Sequence, residues 1–449
     1  MRKVLNIFLV ICMISSIIAG CSSPAPTPAP AATTAAGTVE ITTTAAPAAP
    51  ATELEVVRFM TWEGETMNNA ILETFEPFMA ENGDIKVELE PSPLTDYGIK
   101  LQEMLAAGIA PDVFMVGNDM ALNFDFEGLV LDLSAYMKDD PDFMNNFYPG
   151  TLTTYTRDGR IVGVPGLINL YGYFYNKKYF DEAGLDYPTK NWTYEDFFMY
   201  AEKLSDLETG RAGVFQKGHS PFICSLYSAS KDKTPYTDTI YPVSQVHASE
   251  AFKEGVSRMA AAIKAGYVTS PTVDDANVTG NFMQGAIPML RYGQWAADEI
   301  IRNAPDDLDW GYVPSPRVNT NAQILDAVGW CINNNTKYPD AAFKVLKYIE
   351  SETYKIVLAQ TPVAPPAFQP AASGYYGVLA EKGHNDLAEG LDYMLSAEIK
   401  LPVRFLDSWG AKANMFTDAD WNSFITGERG VDDIQKVIID PINEVIQDN

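Results

Sequence analysis

The chain has 449 residues, a formal net charge of −27 and an apolar fraction of 47%. This acidic balance argues against nucleic acid as a partner, because phosphate binding requires a basic surface. The length is enough for two or three domains with sizeable cores, and the charge suits an extracellular setting.

The first twenty residues have the pattern of a secretory signal peptide. Arg2 and Lys3 precede an apolar run at 4–18, and small residues stand before Cys21. The segment Ile18-Ala19-Gly20-Cys21 is similar to a bacterial lipobox. That resemblance implies cleavage before Cys21 and acylation of its thiol, which would anchor the protein at the extracellular face of the cell membrane. An uncleaved anchor is the alternative, although the run is near the lower limit for crossing a bilayer.

The composition changes abruptly after this segment. From Pro24 to Thr52 nearly every residue is Ala, Thr or Pro. Such a segment has little apolar surface to bury, and its prolines keep it extended. We therefore predict that residues 21–53 form a tether with the lipid at Cys21, and a mucin-like stalk is the alternative.

The folded body opens with alternating strand and helix patterns. The predicted elements are a strand at 54–60, a helix with an apolar stripe at 67–79, a strand at 85–89, a helix near 100–107 and a strand at 113–116. This order predicts parallel strands with crossover helices, and hence an α/β lobe.

A second block contains a clear helix start. Thr193 and Asp196 form a capping pair, and Trp192 opposite Phe197 fits a hydrophobic staple, so we assign Trp192 a structural role. Further helices are predicted at 251–263, 341–349 and 431–446. No long internal linker separates two halves, which predicts lobes that share the chain by crossing over.

Several short motifs follow one another in a fixed order. They are Trp62-Glu63, Ala110-Pro111-Asp112-Val113-Phe114, Asn118-Asp119, Gly163-Val164-Pro165, Tyr175-Asn176-Lys177, Asn191-Trp192-Thr193, Gly293-Gln294-Trp295 and Gly329-Trp330. Together they resemble the sugar-type extracellular solute-binding proteins of ABC importers, the group that contains maltose-binding protein, over essentially all of residues 54–449. The resemblance implies the two-lobed α/β fold of periplasmic binding proteins (type II), with lobes joined by crossing hinge segments.

The resemblance also implies how the lobes divide the chain. The N-terminal lobe would comprise residues 54–166 and 323–365, and the C-terminal lobe residues 167–322 and 366–449. A sugar or oligosaccharide would be captured between them and delivered to an ABC permease in the membrane. We expect a monomer that uses no cofactor and no metal and catalyses no reaction.

The ligand contacts are expected beyond the carboxyl ends of the strands, where open α/β sheets bind ligands. Sugars need flat aromatic faces for their C–H groups and planar polar groups for paired hydroxyls. In the family pattern, Asp119 falls at a sugar-binding carboxylate and Trp295 at a stacking tryptophan. The full expected set is Trp62, Glu63, Asp119, Asn169, Tyr171, Trp295, Trp330, Arg404 and Trp409. Helix capping is the alternative for the carboxylates, and a core position is the alternative for the tryptophans.

Other ligand and function classes remain open. A polyamine could be held by Glu63 and Asp119 among tryptophans, through carboxylates and cation–π contacts. A secreted glycan-active enzyme could use paired carboxylates, although the histidines, His219, His247 and His384, fall in no metal or nucleophile motif. A cell-surface adhesion module would also fit the tether.

Two smaller features have competing interpretations. Asp418 and Asp420 begin like a calcium-binding EF-hand loop, but Arg429 occupies the final ligand position. Cys224 and Cys331 remain after the leader and the lipidated cysteine are set aside, and they could form one disulfide or stay as buried thiols.

Overall fold

Two larger β-sheets organise the folded body. The computed structural model describes residues 54–273 and 275–449, so the predicted leader, lipid site and tether lie outside it. The strands are β1 (Glu55–Thr61), β2 (Ile85–Pro91), β3 (Val113–Gly117), β4 (Thr156–Arg157), β5 (Arg160–Ile161), β6 (Val164–Asn169), β7 (Tyr171–Asn176), β8 (Val214–Gln216), β9 (Met289–Gly293), β10 (Trp310–Val313), β11 (Ala322–Ile324), β12 (Asp326–Ile332) and β13 (Ile399–Leu401).

Helices cover the sheets. They are α1 (Glu65–Glu81), α2 (Leu94–Ala106), α3 (Asn118–Phe126), α4 (Ser134–Asp139), α5 (Pro141–Met144), α6 (Lys177–Ala183), α7 (Tyr194–Lys203), α8 (Pro221–Asp232), α9 (Glu250–Lys264), α10 (Val278–Met283), α11 (Ala296–Asn303), α12 (Pro339–Tyr348), α13 (Tyr354–Val357), α14 (Ala372–Glu381), α15 (Asn385–Leu395), α16 (Gly410–Ile425) and α17 (Asp440–Gln447). In the part of the chain that the structure describes, no helix has both the length and the apolar character that crossing a membrane requires.

The first sheet has the strand order β2-β1-β3-β12-β6. β1 is parallel to both β2 and β3, as the alternating strand and helix patterns predicted. α1 buries most of the apolar stripe read from the sequence, although Leu72 is exposed, and its Phe75 ring lies 5.5 Å from that of Phe59 in β1. β12 comes from a distant part of the chain and is antiparallel to β3 and β6.

The second sheet has the order β10-β7-β9-β8, and the chain enters it directly from the first. β6 ends at Asn169 and β7 begins at Tyr171, so at this crossing a single residue, Leu170, separates a strand of the first sheet from a strand of the second. Gln294 fixes this crossing, because its side chain accepts the Leu170 N–H at 2.7 Å and donates to the Ile168 carbonyl at 2.9 Å. The end of β9 is thereby tied to the point where the chain changes sheet.

The predicted cap of α7 is confirmed. The Thr193 side chain accepts the Asp196 N–H, and the Asp196 carboxylate accepts the Thr193 N–H. Trp192 is 3% exposed, and its indole N–H donates to the Pro314 carbonyl at 2.7 Å. The structural role assigned to Trp192 is therefore confirmed.

The helix predicted at 431–446 is confirmed, although it is not a regular α-helix throughout. It begins with a 3₁₀ turn at Val431–Asp433, continues through a π-helical segment at Gln435–Ile439 and ends as α17. Pro441 favours this irregular geometry, because proline has no N–H for the hydrogen bond of a regular α-helix and its ring crowds the preceding turn.

The structure also decides the two smaller features. The calcium-loop interpretation is wrong, because the acidic residues lie within α16 and Asp420 pairs with Arg429 at 2.9 Å. Among the described residues no group of three or more His, Cys, Asp or Glu could hold a metal ion. Cys224 and Cys331 are free thiols, and they are buried in separate clusters of the core.

Gly329 in β12 passes β6 without room for a side chain. A β-carbon at this position would lie 2.1 Å from the Val164 carbonyl oxygen, beside a register shift in the ladder. Because the obstacle is the backbone of a paired strand, we expect Gly329→Ala to lower the free energy of unfolding by about 3 kcal/mol. Gly83→Ala, with nothing within 4 Å, is the matched control and should change it by less than ~1 kcal/mol. Urea unfolding measures both, and equal values would contradict the close packing.

Candidate functional site

Polar and aromatic side chains gather at strand ends beside the chain crossing. Asp119 follows β3, Asn169 ends β6, and Trp295 follows β9. β12 is antiparallel to β3, so Asp326, the first residue of β12, lies near the carboxyl end of β3. In the same way β7 is antiparallel to β9, so Tyr171, the first residue of β7, lies at the carboxyl end of β9. These are the edges at which open α/β sheets bind ligands.

An arginine joins two carboxylates at this place. Arg404, in the loop after β13, has Nη2 at 3.0 Å from Oδ2 of Asp326 and Nη1 at 3.4 Å from both carboxylate oxygens of Asp119. Asp326 lies opposite Asn169 in the ladder between β12 and β6. The loop is thus tied by charge to the first sheet.

The pKa values in this ion cluster reflect its burial. Burial raises the pKa of Asp326, which is 3% exposed, and the charge of Arg404 opposes that increase. For Arg404, burial works against the charged form, but the carboxylates of Asp326 and Asp119 outweigh it and raise the pKa of the guanidinium. Arg404 therefore carries a fixed positive charge between two acids.

Three aromatic rings meet beside the ion cluster. The Trp295 ring is partly exposed and lies edge-on to Tyr171 at 5.3 Å and to Tyr292 at 5.5 Å between centroids. A β-carbon on Gly293 would lie 2.1 Å from the Trp295 ring, so only glycine lets the indole lie across the end of β9. Trp295 also directly precedes α11.

The loop after β1 places two further candidates. The Trp62 ring lies edge-on to Tyr97 at 5.0 Å, and the Glu63 N–H donates to Oγ1 of Thr61 at 3.0 Å. Burial raises the pKa of Glu63 to about 7, and the negative charge of Asp298 adds to the increase. Glu63 follows a strand of the first sheet, whereas Asp298 lies in α11, after a strand of the second sheet.

Glu63 is expected to make the stability of the protein depend on pH. Its folded-state pKa lies above its unfolded value of 4.5, so the folded state holds the proton more tightly and loses stability as pH rises from about 4.5 to about 7. We expect this loss to be on the order of 2 kcal/mol, and Glu63→Gln to remove it.

Urea unfolding between pH 4.5 and 8 measures this effect. Glu65→Gln, which changes an exposed carboxylate in the first turn of α1, is the matched control and should leave the pH dependence unchanged. A pH profile of Glu63→Gln that coincides with that of the unmodified protein would rule out the titration of this carboxyl.

Two predicted ligand contacts lie elsewhere. Trp330 is fully buried, and its N–H donates to the Tyr354 hydroxyl at 2.9 Å. Trp409 is 8% exposed and packs on Phe405 at 4.9 Å between centroids. Neither side chain offers a ligand much surface, so the structure does not bring them to the cluster.

Three charged residues at the site are not among the contacts predicted from the sequence, namely Arg291, Asp298 and Asp326. Arg291 stands between Leu290 and Tyr292, and Asp326 between Leu325 and Ala327. A single charge inside an apolar strand is costly unless something pairs with it, so both positions carried a signal. Asp298 gave no comparable signal, because acidic residues are common in the first turn of a helix.

Comparison with known proteins agrees with this architecture. A family model for bacterial extracellular solute-binding proteins matches residues 73–373. A protein of Brucella abortus that carries the provisional name of binding protein is 26% identical over 296 residues, which cover 64% of this chain and 70% of that protein.

Two solved structures share the fold. An ABC substrate-binding protein from Listeria monocytogenes, in complex with cycloalternan, superposes with a TM-score of 0.71 at 22% identity, covering 88% of this chain and 99% of that one. A cyclic alpha-maltosyl-1,6-maltose binding protein from Arthrobacter globiformis also gives 0.71, at 20% identity and with 88% and 100% covered. The chain therefore has their two-lobed α/β fold, as predicted.

Proposed function

The chain belongs to the bacterial extracellular solute-binding protein family, and from that premise we propose that it captures a sugar or oligosaccharide for an ABC permease. The observation that carries the proposal is the position of Trp295 and Tyr171 beside the Arg404 ion cluster. An aromatic face next to planar charged groups matches what a sugar ring presents, namely an apolar C–H face and pairs of hydroxyls.

We assign ligand contact to the residues that lie at the strand ends or directly beside them. They are Trp62, Glu63, Asp119, Asn169, Tyr171, Trp295 and Arg404. The names of the Listeria and Arthrobacter proteins, which refer to cycloalternan and to a cyclic maltosyl-maltose, support a glucan as the first class of ligand to test.

The charges favour a neutral ligand over a polyamine. Arg404 offsets one of the two negative charges of Asp119 and Asp326, and the raised pKa of Glu63, about 7, reduces the negative charge of that side chain at neutral pH. A polycation would therefore meet less negative charge here than the three carboxylates would supply if they were all ionised and unpaired.

We propose that binding closes the two lobes. The N-terminal lobe would comprise residues 54–166 and 323–365, and the C-terminal lobe residues 167–322 and 366–449. The ligand would shift the population toward the closed form, because only that form makes both sets of contacts. The crossing held by Gln294 is a suitable hinge, since it connects the sheets through a single residue.

Membrane attachment completes the proposal. Acylation of Cys21 would hold the protein at the extracellular face of the membrane, and residues 21–53 would let it reach a permease. A receptor of this kind works as a monomer and needs no cofactor, and the permease would recognise the closed form as loaded.

A thermal-shift screen of the purified protein tests the function. It covers simple sugars, α- and β-linked oligosaccharides, polyamines and amino acids, with tryptophan emission followed in parallel. A ligand that binds only the native state raises the melting temperature. A sugar that raises it, with no release of reducing ends on incubation, supports the proposal. A polyamine that does so replaces the ligand class, and reducing-end release would indicate an enzyme.

A further inference from the structure

The second sheet contains a buried cation that pairs with no acid among the described residues. Arg291 in β9 is 1% exposed, and its register neighbours are Tyr173 in β7 and Gln216 in β8. Its Nη1 donates to the Lys217 carbonyl at 3.2 Å, but Nε and Nη2 have no hydrogen-bond partner among residues 54–273 and 275–449. Burying a charge without a counter-charge costs several kcal/mol, so a partner that the described residues do not supply would stabilise this guanidinium.

A small cavity adjoins this guanidinium. Its volume is about 20 Å³, and its lining includes Tyr173, Tyr194, Gln216, Cys224 and Arg291. This volume admits one occupant of about the size of a water molecule. None of the described residues that line the cavity is acidic, so the protein itself offers no negative charge there.

Two acids beside the cavity-lining Tyr227 and its neighbour Arg258 are already paired with other cations. Glu195 accepts both Nη1 and Nη2 of Arg258, at 2.5 and 2.9 Å. Glu254 pairs with Lys231 and also accepts the Tyr227 hydroxyl at 2.6 Å. Neither carboxylate is therefore available to neutralise the buried guanidinium.

A nearby histidine, His219, is neutral. His219 is 5% exposed, and its Nδ1 lies 3.3 Å from Nε2 of Gln216. Burial and the charge of Arg291 lower the pKa of His219 to about 4, so the ring is neutral at physiological pH. The surroundings of the cavity are thus positive overall and rich in polar hydrogens.

We propose that this cavity binds a single monoatomic anion, with chloride as the physiological occupant. The Nε and Nη2 protons of Arg291 would point at the anion, and the Tyr194 hydroxyl can turn its proton toward it. The Tyr173 hydroxyl and the Cys224 thiol make only long hydrogen bonds, at 3.4 Å to Gln216 and 3.9 Å to the His219 carbonyl, and could exchange them for the anion. The anion would neutralise the buried charge. It would also hold Arg291 in place against Tyr171, because the Arg291 guanidinium faces the Tyr171 ring. This site does not depend on which solute the cleft binds.

Thermal denaturation at constant ionic strength tests the proposal. We expect replacement of gluconate by chloride or bromide to raise the melting temperature by about 3 °C at saturation, whereas sulfate, which is too large for the cavity, has no such effect. Arg291→Met should abolish the chloride dependence, because it removes the charge and roughly keeps the volume. Lys178→Met, which removes an exposed cation, should retain the dependence.

Crystals of the unmodified protein soaked in bromide give a second measurement, which does not require the variant to fold. We expect an anomalous peak within hydrogen-bond distance of Nη2 of Arg291. The absence of that peak would show that the cavity holds only water and would overturn the proposal. Equal chloride dependence in Arg291→Met and the unmodified protein would overturn it as well.

Discussion

Trp295→Ala is expected to weaken binding of the proposed sugar about thirtyfold, which corresponds to about 2 kcal/mol. The indole is partly exposed, is held edge-on by Tyr171 and Tyr292, and lies over Gly293, where no side chain fits beneath it. A ring held in this way can cover a sugar face without losing much conformational freedom on binding. Isothermal titration calorimetry with the sugar found by thermal shift measures the effect.

Two control variants make this result specific. Trp295→Phe keeps an aromatic face and should recover part of the affinity. Tyr187→Ala removes an aromatic side chain that is 39% exposed and is not among the proposed contacts, so it should leave the affinity unchanged. A folded Trp295→Ala protein that binds within twofold of the unmodified protein would remove Trp295 from the proposed contacts.

Arg404→Met is expected to destabilise the fold more at pH 8 than at pH 5. The Asp326 side chain is 4% exposed and has Arg404 as its cation, so the variant leaves a buried carboxylate unpaired. We expect the free energy of unfolding to fall by about 2 kcal/mol at pH 8. This is less than for a fully buried pair, because the Arg404 side chain is 39% exposed and solvent screens part of the interaction.

The direction of the pH dependence follows from the pKa of Asp326. Burial raises this pKa in the folded protein, and loss of Arg404 removes the main opposing influence. The folded state of the variant then binds the proton more tightly than the unfolded chain does. Its stability is therefore present below the unfolded pKa of about 4 and is lost as the pH rises through the raised folded value.

The double variant Arg404→Met with Asp326→Asn is the matched control. It removes the carboxylate together with its cation, so it should recover most of the stability and lose the added pH dependence. Urea unfolding at pH 5 and pH 8 compares the three proteins. If Arg404→Met is as stable as the unmodified protein at pH 8, the ion cluster does not contribute to stability as we infer.

Local patterns in the sequence predicted the elements that depend on near neighbours. The strands β1, β2 and β3, the helix α1 and the cap of α7 occur where the periodicity and the capping pair indicated them. These features arise from contacts within one helix turn or one strand, which the sequence shows directly. The helix expected at 431–446 is also present, and its π-helical segment next to Pro441 is a local departure from regular α-helical geometry.

The sequence could not rank the tryptophans by their role. Trp295 and Trp330 both occur in short glycine-containing motifs next to an apolar strand. Trp295 is nevertheless partly exposed, whereas Trp330 is fully buried. The difference depends on which element packs over each ring. The Tyr354 hydroxyl, in a helical segment, accepts the Trp330 N–H. Trp295 instead lies just beyond the carboxyl end of β9, directly before α11.

By itself, the sequence determined the class of the protein: an acidic body with the ordered motifs of a solute-binding family, preceded by a predicted leader and tether. Only the tertiary structure decided which charges meet. Arg404 is 285 residues from Asp119 and 78 from Asp326, and no periodicity links positions so far apart. They meet because β12 returns antiparallel to β3, which brings the first residue of one strand to the end of the other. Local propensity acts over a few residues, whereas a binding site depends on the order in which strands pair.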